Sequence, residues 1–159
     1  MFDAMAQGDV NPTAFRSLRL VPTTVTIRKA TLADMPFLIA LAKEKYPARQ
    51  IEQGIGWMEW CITNPERLVL VGPNSAGVAQ VGWQYGFERR ARLDMLGARA
   101  TPGAALEALK IVRLMIAWAK EQGAQGSFRL DADTGVDFGP FARRLGGKPV
   151  TLTRYEIPL

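Results

Sequence analysis

The chain has 159 residues, of which 48% are hydrophobic and 22% are charged, a balance that can bury the core of one ordinary domain. Its 20 Lys and Arg residues exceed its 15 Asp and Glu residues, and the net charge of +5 fits either an anionic partner or a merely soluble basic surface. Histidine is absent, which excludes Ser-His-Asp and Cys-His catalysis and most zinc sites, so we expect no metal centre.

Cysteine use and the first residues indicate the cellular setting. The single cysteine, Cys61, cannot form an intrachain disulfide, and its apolar helical surroundings predict a buried structural thiol. No apolar run approaches the roughly 20 residues of a membrane span, and residues 1–10 lack the features of a secretory signal. No block of five basic residues is present, which argues against nucleic acid as a partner. We therefore expect a soluble, cytoplasmic protein without membrane contacts.

Residues 1–23 differ from the rest of the chain. They mix glycine, asparagine and proline with isolated apolar residues, and they are interpreted as an N-terminal arm. Phe15, Leu18 and Val21 could dock on a partner protein or on the domain itself; a loose terminus explains the same residues. Residues 24–159 are predicted to form the single domain.

The domain is predicted to begin with a strand and a helix. Residues 24–29 alternate in hydrophobicity as a half-buried strand does. Asp34 is placed to cap a helix that extends to about Lys45, and Pro36 falls in its first turn, where a missing N–H is tolerated.

A second helix is predicted over residues 50–63, where apolar residues recur at helical spacing before the stop at Asn64 and Pro65. Trp57 and Trp60 lie off its apolar stripe. They either wall a pocket or, as is typical of large aromatic residues, add to the core.

Three strands follow the second helix. The second of them carries Gly82 and Gly86 at alternate positions, which suggests that something packs closely against that face. In the third, Asp94 is an isolated charge among apolar residues. The three strands are predicted over residues 67–71, 78–87 and 91–98.

A long helix is predicted over residues 102–122. Apolar residues, Leu106 among them, cover most of its circumference and leave a narrow polar stripe that includes Glu107. Thr101 is predicted as the N-cap, and Gly123 ends the helix. A strand, a short helix and a last strand are predicted over residues 127–132, 137–145 and 149–157.

This order of elements resembles the GNAT (GCN5-related N-acetyltransferase) fold over residues 24–159. The resemblance implies an α/β (α+β) domain with a central mixed, mostly antiparallel sheet flanked by about four helices. The segments that carry it are residues 27–34, 68–71, 78–83, 117–124, 141–146 and 155–159.

The resemblance also implies a site for acetyl-CoA. In that family the cofactor lies in a splay between the fourth and fifth strands, and its pyrophosphate rests on the turn before the long helix. The matching turn here keeps small residues that would admit a phosphate to helix N–H groups, but it departs from the family's basic-glycine pattern. The corresponding cofactor-binding residues are Leu96, Ala98, Gly103, Ala104 and Ala105.

The family's catalytic groups are matched in part. Its base is commonly a carboxylate on the fourth strand, and Asp94 holds that place, with Tyr85 on the adjacent strand. An ionised carboxylate on a wet sheet edge explains Asp94 without catalysis. The family's general acid is a tyrosine in the short helix, where this chain has Ala142, so a leaving thiolate would be protonated by another group or by water.

Two hypotheses of function follow from the resemblance. The first is an N-acyltransferase that moves an acetyl group from acetyl-CoA to an amine of a small molecule or protein, with Asp94 as base and backbone donors of the fourth strand at the oxyanion. The second is a catalytically degenerate structural or interaction protein whose N-terminal arm contacts a protein partner. Short chains of this kind also resemble proteins encoded among tailed-phage structural genes, so the second hypothesis includes a phage virion component.

Overall fold

The computed structural model describes residues 26–84, 87–131 and 139–150. Within these ranges the chain forms five strands and four α-helices, and a short 3-10 turn, Leu32–Asp34, precedes the first helix. In chain order the elements are β1 (Arg28–Lys29), α1 (Met35–Lys43), α2 (Ala48–Thr63), β2 (Arg67–Val71), β3 (Ser75–Gln84), β4 (Glu88–Ala98), α3 (Ala104–Glu121), β5 (Phe128–Leu130) and α4 (Gly139–Arg144).

The strands form one mixed sheet in the order β1-β2-β3-β4-β5. The first four are antiparallel to their neighbours, whereas β5 pairs parallel with β4. Helix α3 lies between these two strands in the chain and provides the crossover that a parallel pair requires. The predicted fold class, a mostly antiparallel mixed sheet with about four helices, is confirmed over the described residues.

Helices cover both faces of the sheet. On one face, α1 and α2 pack on β2 and β3, with Leu38 and Cys61 among the buried residues. On the other face, Ile111 and Met115 of α3 are fully buried beside Leu70 of β2. The hydrophobic stripes of the helices therefore set which face each one covers.

A bulge interrupts the pairing of β3 with β4. Val78 pairs with Met95, but the next residue, Ala79, pairs with Leu93, so Asp94 is an extra residue in β4. A bulge bends its strand and shifts the alternation of the residues that follow it. Asp94, the charge that lies among apolar residues of β4, is thus the bulge residue.

The start of α3 differs from the prediction. Gly103, not Thr101, is the N-cap, and its φ of 84° is a left-handed conformation that glycine adopts readily. The predicted Thr101 cap is wrong because residues 101–103 form a separate turn, in which the Ala104 N–H donates to the Thr101 carbonyl. The helix ends at Glu121, and Gly123, predicted to close it, follows two residues later with a φ of 75°.

The polar stripe predicted for α3 is exposed at Lys110, Arg113, Lys120 and Glu121, but Glu107 is not part of it. Glu107 is only 3% exposed, and its carboxylate accepts hydrogen bonds from the Asn74 N–H at 2.8 Å and the Ser75 hydroxyl at 2.6 Å. Leu106, assigned to the apolar side, is exposed. The Asn74 N–H and the Ser75 hydroxyl need a hydrogen-bond acceptor, and this requirement overrides the hydrophobic pattern at position 107.

The expected close packing against the alternate glycines of β3 is wrong at Gly82. A Cβ placed on Gly82 would meet no described atom within 4 Å, so that position borders open space. Gly77 is the closely packed glycine of this strand, since a Cβ there would lie 3.0 Å from side-chain atoms of Ile111 and Met115. Gly86 lies outside the described residues.

Other predictions fall at or beyond the ends of the described ranges. The N-terminal arm (residues 1–23), Tyr85 and all but the first two residues of the predicted last strand lie outside them. The Asp34 carboxylate accepts hydrogen bonds from the Thr31 N–H and from Arg28, and it makes no cap bond to α1. In the part of the chain that is described, no helix has the length and apolar character to cross a membrane.

Candidate active site

Strand β4 continues past its last contact with β5. The final register pair is Leu93 opposite Leu130, so among the described residues the segment 94–98 has no β5 partner. On the side away from β3, the second half of β4 therefore has no paired strand among the described residues, and we call this unpaired side the opening.

The backbone of β4 presents polar groups to this opening. The Arg99 N–H donates to the Asn74 carbonyl at 2.9 Å, on the β3 side of the strand. Because backbone groups of successive strand residues point to alternate edges, those of Ala98 and Leu96 point away from β3. The two strand residues predicted to bind the cofactor thus turn N–H and C=O groups toward the opening.

The N-terminus of α3 offers further donors. The N–H groups of Ala104 and Glu107 donate to carbonyls of the preceding turn, at 3.2 and 3.0 Å. Those of Ala105 and Leu106 have no acceptor among the described residues, and no side chain caps the helix. Free N–H groups and the positive end of the helix dipole favour an anion at this position.

Arg99 is the one charged side chain of the turn before α3, and it does not face these donors. Its Nε lies 3.6 Å from Glu44, and its guanidinium lies over the Phe37 ring, 5.4 Å from the centroid. The side chain is thereby directed to α1. An anion at the start of α3 would rely on backbone donors.

Asp94 is held by two arginines. Its Oδ1 accepts from the Arg92 Nε at 2.7 Å, and its Oδ2 accepts from Arg67, which also donates to Gln80. The interpretation as a carboxylate on a wet sheet edge is wrong, because the Asp94 side chain is only 9% exposed and both of its oxygens accept from arginines. Its partners differ in exposure: the Arg67 side chain is 12% exposed and that of Arg92 is 48% exposed.

The two tryptophans of α2 are not core residues. Trp57 and Trp60 are 37% and 48% exposed, and the Arg67 guanidinium lies 5.8 and 4.4 Å from their ring centroids. The interpretation that they add to the core is wrong, because both side chains are exposed, and each ring has a cation–π contact with Arg67 instead. Trp57 does wall a pocket.

That pocket is a cavity of about 240 Å³ between α1 and α2. Met95, the residue after the bulge, contributes to its wall from β4. The other lining side chains are mostly apolar and include Leu38, Ile51, Ile55 and Met58.

Cys61 is fully buried, which confirms the predicted structural thiol. Burial raises the pKa of this thiol, because a charged thiolate is unfavourable away from water.

Two further positions bear on the chemistry of the site. Ala142, at the place of the family's tyrosine, lies in α4. No group of metal-ligating side chains occurs among the described residues.

Solved acetyltransferase structures are similar to this fold. The aminoglycoside 6'-N-acetyltransferase AAC(6')-Ig from Acinetobacter haemolyticus has a TM-score of 0.70 at 14% identity, over 84% of this chain and 98% of its own. AAC(6')-Iy, in complex with a CoA-containing bisubstrate analogue, has 0.69 at 11% identity, over 85% and 98%. A GCN5-related N-acetyltransferase from Ralstonia eutropha JMP134 has 0.65 at 14% identity, over 84% and 98%. The chain has the GNAT fold.

No family model matches the sequence, and no curated protein sequence matches it either. At these identities the likeness establishes the GNAT fold alone, and the hypothesis of a tailed-phage virion component gains no support from it. The predicted resemblance to the GNAT fold is confirmed.

Sequence reasoning missed several residues of the site. Arg67 and Arg92 pair with Asp94, and one signal for Arg67 was its position as the single charge of an otherwise apolar strand. Gly54 of α2 borders the cavity. Its signal in the sequence is a glycine inside a predicted helix, where glycine is unfavourable unless packing or function requires it.

Proposed function

We propose that this protein is an N-acyltransferase that moves an acetyl group from acetyl-CoA to an amine. The observation that carries the proposal is the opening beside β4, where Leu96 and Ala98 present backbone groups next to the free N–H groups of α3. A protein of the same fold has been solved in complex with a bisubstrate analogue that contains CoA. Two observations therefore support the proposal: the fold is that of a protein solved with a CoA-containing analogue, and free N–H groups lie at the start of α3, where they can bind a phosphate.

The residues at the start of α3 fit a pyrophosphate. Gly103, Ala104 and Ala105 are small, and a Cβ placed on Gly103 would meet no described atom within 4 Å. Among the described residues, the space beside Gly103 is therefore open, and the N–H groups of Ala105 and Leu106 follow it in the first turn of α3. A hydrogen bond to a charged group contributes about 1.5–3 kcal/mol, so these two donors are the proposed source of pyrophosphate affinity in place of an arginine.

Acetyl-CoA, when bound, supplies an acetyl thioester whose C–S bond breaks as the amine nitrogen forms a C–N bond to the acetyl carbon. The Leu96 N–H, directed at the opening, is the proposed donor to the acetyl oxygen as negative charge develops there. Asp94 is the proposed base that takes a proton from the acceptor ammonium, which frees the nitrogen lone pair for attack. Ala142 cannot donate a proton, so water is the proposed source of the proton for the departing thiolate.

The two partners of Asp94 have different roles in this proposal. Arg67 is mostly buried and donates also to Gln80, so it stays with the carboxylate. Arg92 is half exposed, and an exposed ion pair is worth little. We infer that the acceptor ammonium takes the place of Arg92 at Oδ1 of Asp94.

Thermal unfolding with and without acetyl-CoA tests the proposal. Acetyl-CoA at millimolar concentration should raise Tm, since a ligand that binds only the native state stabilises it. S-acetylpantetheine, a thioester without the pyrophosphate, should raise Tm less. Release of free CoA thiol in the presence of an amine should then be detectable with a thiol reagent. An unchanged Tm at saturating acetyl-CoA would contradict the proposal.

A further inference from the structure

The cavity between α1 and α2 is apolar throughout most of its wall. Its volume is about 240 Å³, and none of the residues that line it is charged. Tyr46, Gln50 and Trp57 are the lining residues whose side chains carry a nitrogen or oxygen atom. Engineered apolar cavities of about 150 Å³ take up benzene, so this space has room for an aromatic ring with a short chain.

Gly54 keeps part of this cavity open. It lies inside α2 and lines the cavity, and a Cβ placed on it would meet no described atom within 4 Å. Glycine inside a helix is less stable than alanine by about 0.5–1 kcal/mol, and an empty apolar cavity also destabilises a fold. Two destabilising features at one position are typical of a functional site, where a ligand offsets them.

The cavity adjoins the proposed reaction centre. Met95 lines it, and along β4 Met95 lies between Asp94, the proposed base, and Leu96, the proposed donor to the acetyl oxygen. Trp57 also lines the cavity, and its ring contacts the Arg67 guanidinium, which donates to Asp94. A molecule whose body fills the cavity would therefore place an attached amine beside Asp94.

The charges around the cavity do not suit a polycation. The acidic group next to it, Asp94, already has two arginine partners, and the lining adds no carboxylate. A ligand with several ammonium groups needs several carboxylates to replace its hydration. One ammonium at Asp94 and an uncharged body in the cavity match what these residues offer.

We propose that this cavity selects the acceptor, and that the acceptor is a primary amine carried on a compact hydrophobic group. This inference rests on the proposed acetyl transfer and gives it a substrate class. The proposed substrate, with one ammonium and a hydrophobic body, differs from the aminoglycosides for which two of the structural neighbours are named.

Calorimetric titration of the whole 159-residue chain with three amines tests the class without acetyl-CoA. Phenethylamine combines one ammonium with an aromatic ring, ethylamine has the ammonium alone, and neamine has several. Phenethylamine should bind at least about tenfold more tightly than ethylamine, because its ring is removed from water. Equal affinities of these two amines, or tighter binding of neamine, would overturn the proposal.

Two matched variants locate the binding. Gly54→Leu places a side chain in the cavity, whereas Gly56→Leu changes an exposed glycine of the same helix that does not line it. Both replace glycine by a better helix former and have room for a Cβ, so both should fold. Gly54→Leu should weaken phenethylamine binding at least tenfold and Gly56→Leu should leave it unchanged. Wild-type affinity in Gly54→Leu would overturn the assignment to the cavity.

The acetyl-CoA thermal shift of the same proteins separates this inference from the proposed function. If acetyl-CoA binds and phenethylamine does not, the substrate class is wrong and the acyltransferase proposal stands. If phenethylamine binds in the cavity and acetyl-CoA does not, the cavity is an amine site but the acyltransferase proposal fails. Gly56→Leu should not alter the acetyl-CoA shift, since Gly56 is exposed on α2, which packs on the face of the sheet opposite α3.

Discussion

Glu107 is a charged side chain that the fold holds almost entirely out of water. Its carboxylate is satisfied by the Asn74 N–H and the Ser75 hydroxyl, both in the segment that leads into β3. Its place in the first turn of α3 adds the favourable field of the helix N-terminus. Glu107 thus joins the helix that bears the proposed anion site to the start of β3, the central strand of the sheet.

Gly72 makes room for this carboxylate, and its replacement is our first prediction. A Cβ at position 72 would overlap the Glu107 side chain, so Gly72→Ala should push the carboxylate away from its two donors. Buried donors left without a partner cost about 1–3 kcal/mol, and we expect a loss of about 2 kcal/mol in unfolding free energy. Urea denaturation measures it.

Gly82→Ala is the matched control for this prediction, because a Cβ on Gly82 meets open space in the neighbouring strand. It should change the unfolding free energy by less than about 0.5 kcal/mol. In a Glu107→Ala background, Gly72→Ala should become nearly harmless, since the overlap is gone. Equal losses in both backgrounds would show that Glu107 is not the cause.

Arg92 is the residue that tests how the acceptor reaches Asp94. Because Arg92 is the exposed partner of that carboxylate, Arg92→Ala should remove a competitor of the acceptor ammonium. Exposed ion pairs are worth up to about 1 kcal/mol, so KM for the amine should fall about two- to fivefold with little change in kcat. Arg92→Lys keeps the cation and should behave like wild type. An unchanged KM in Arg92→Ala would show that the acceptor does not displace Arg92.

At the scale of elements, the N-terminus of α3 supplies the proposed anion site from backbone alone. Ala105 is exposed and its N–H has no acceptor among the described residues, so it is a donor that can be deleted without disturbing the core. Proline deletes it. Helix α1 already carries Pro36 as its second residue, the same position that Ala105 has in α3.

Ala105→Pro should therefore weaken acetyl-CoA binding at least about tenfold, which is the loss of one hydrogen bond to a charged group. Ala105→Gly keeps the N–H and should bind with an affinity close to that of wild type. Titration calorimetry gives both affinities, and thermal unfolding without ligand checks that Ala105→Pro still folds. Wild-type affinity in Ala105→Pro would place the pyrophosphate elsewhere.

The elements themselves could be predicted because each has a local signal. Hydrophobic spacing and terminal residues such as Gly123 predicted the helices, and alternation predicted the strands. The bulge at Asp94 could not be predicted, because one extra residue in a strand leaves no mark on composition. The N-cap of α3 was misplaced because Thr101 is a good cap by residue type, while the preceding turn gave that role to Gly103.

At the scale of the whole molecule, the candidate site depends on contacts between distant parts of the chain. Arg67 and Asp94 are separated by 27 positions, and they meet only because β2 and β4 flank β3 in one sheet. The cavity likewise needs α1, α2 and Met95 of β4 together. Sequence reasoning identified Asp94 and the α3 turn singly, but these pairings arise from tertiary packing.

One ion pair links the first strand to the start of α1, and it makes a prediction about the stability of the whole domain. Arg28 and Asp34 form a bidentate pair at 2.8 and 2.6 Å, and the Thr31 N–H donates to the same carboxylate. The Arg28 guanidinium, followed by the Thr31 N–H, holds the pKa of Asp34 well below its usual range.

A carboxyl group with a lower pKa in the folded state stabilises that state above its unfolded pKa, which is about 3.9 for aspartate. Below about pH 4 the unfolded chain takes up a proton at Asp34 before the folded chain does, so this contribution shrinks as the pH falls. Wild type should therefore be more stable than Asp34→Asn at pH 7, and the difference should decrease toward zero in acid. Urea denaturation of both proteins between pH 7 and pH 2.5 measures this difference.

Glu52→Gln is the control for this prediction. It neutralises an exposed carboxylate of α2 for which the described residues show no ion pair, and its stability should depend on pH as that of wild type does. A difference between wild type and Asp34→Asn that does not change with pH would mean that the charge of Asp34 is not what stabilises this junction.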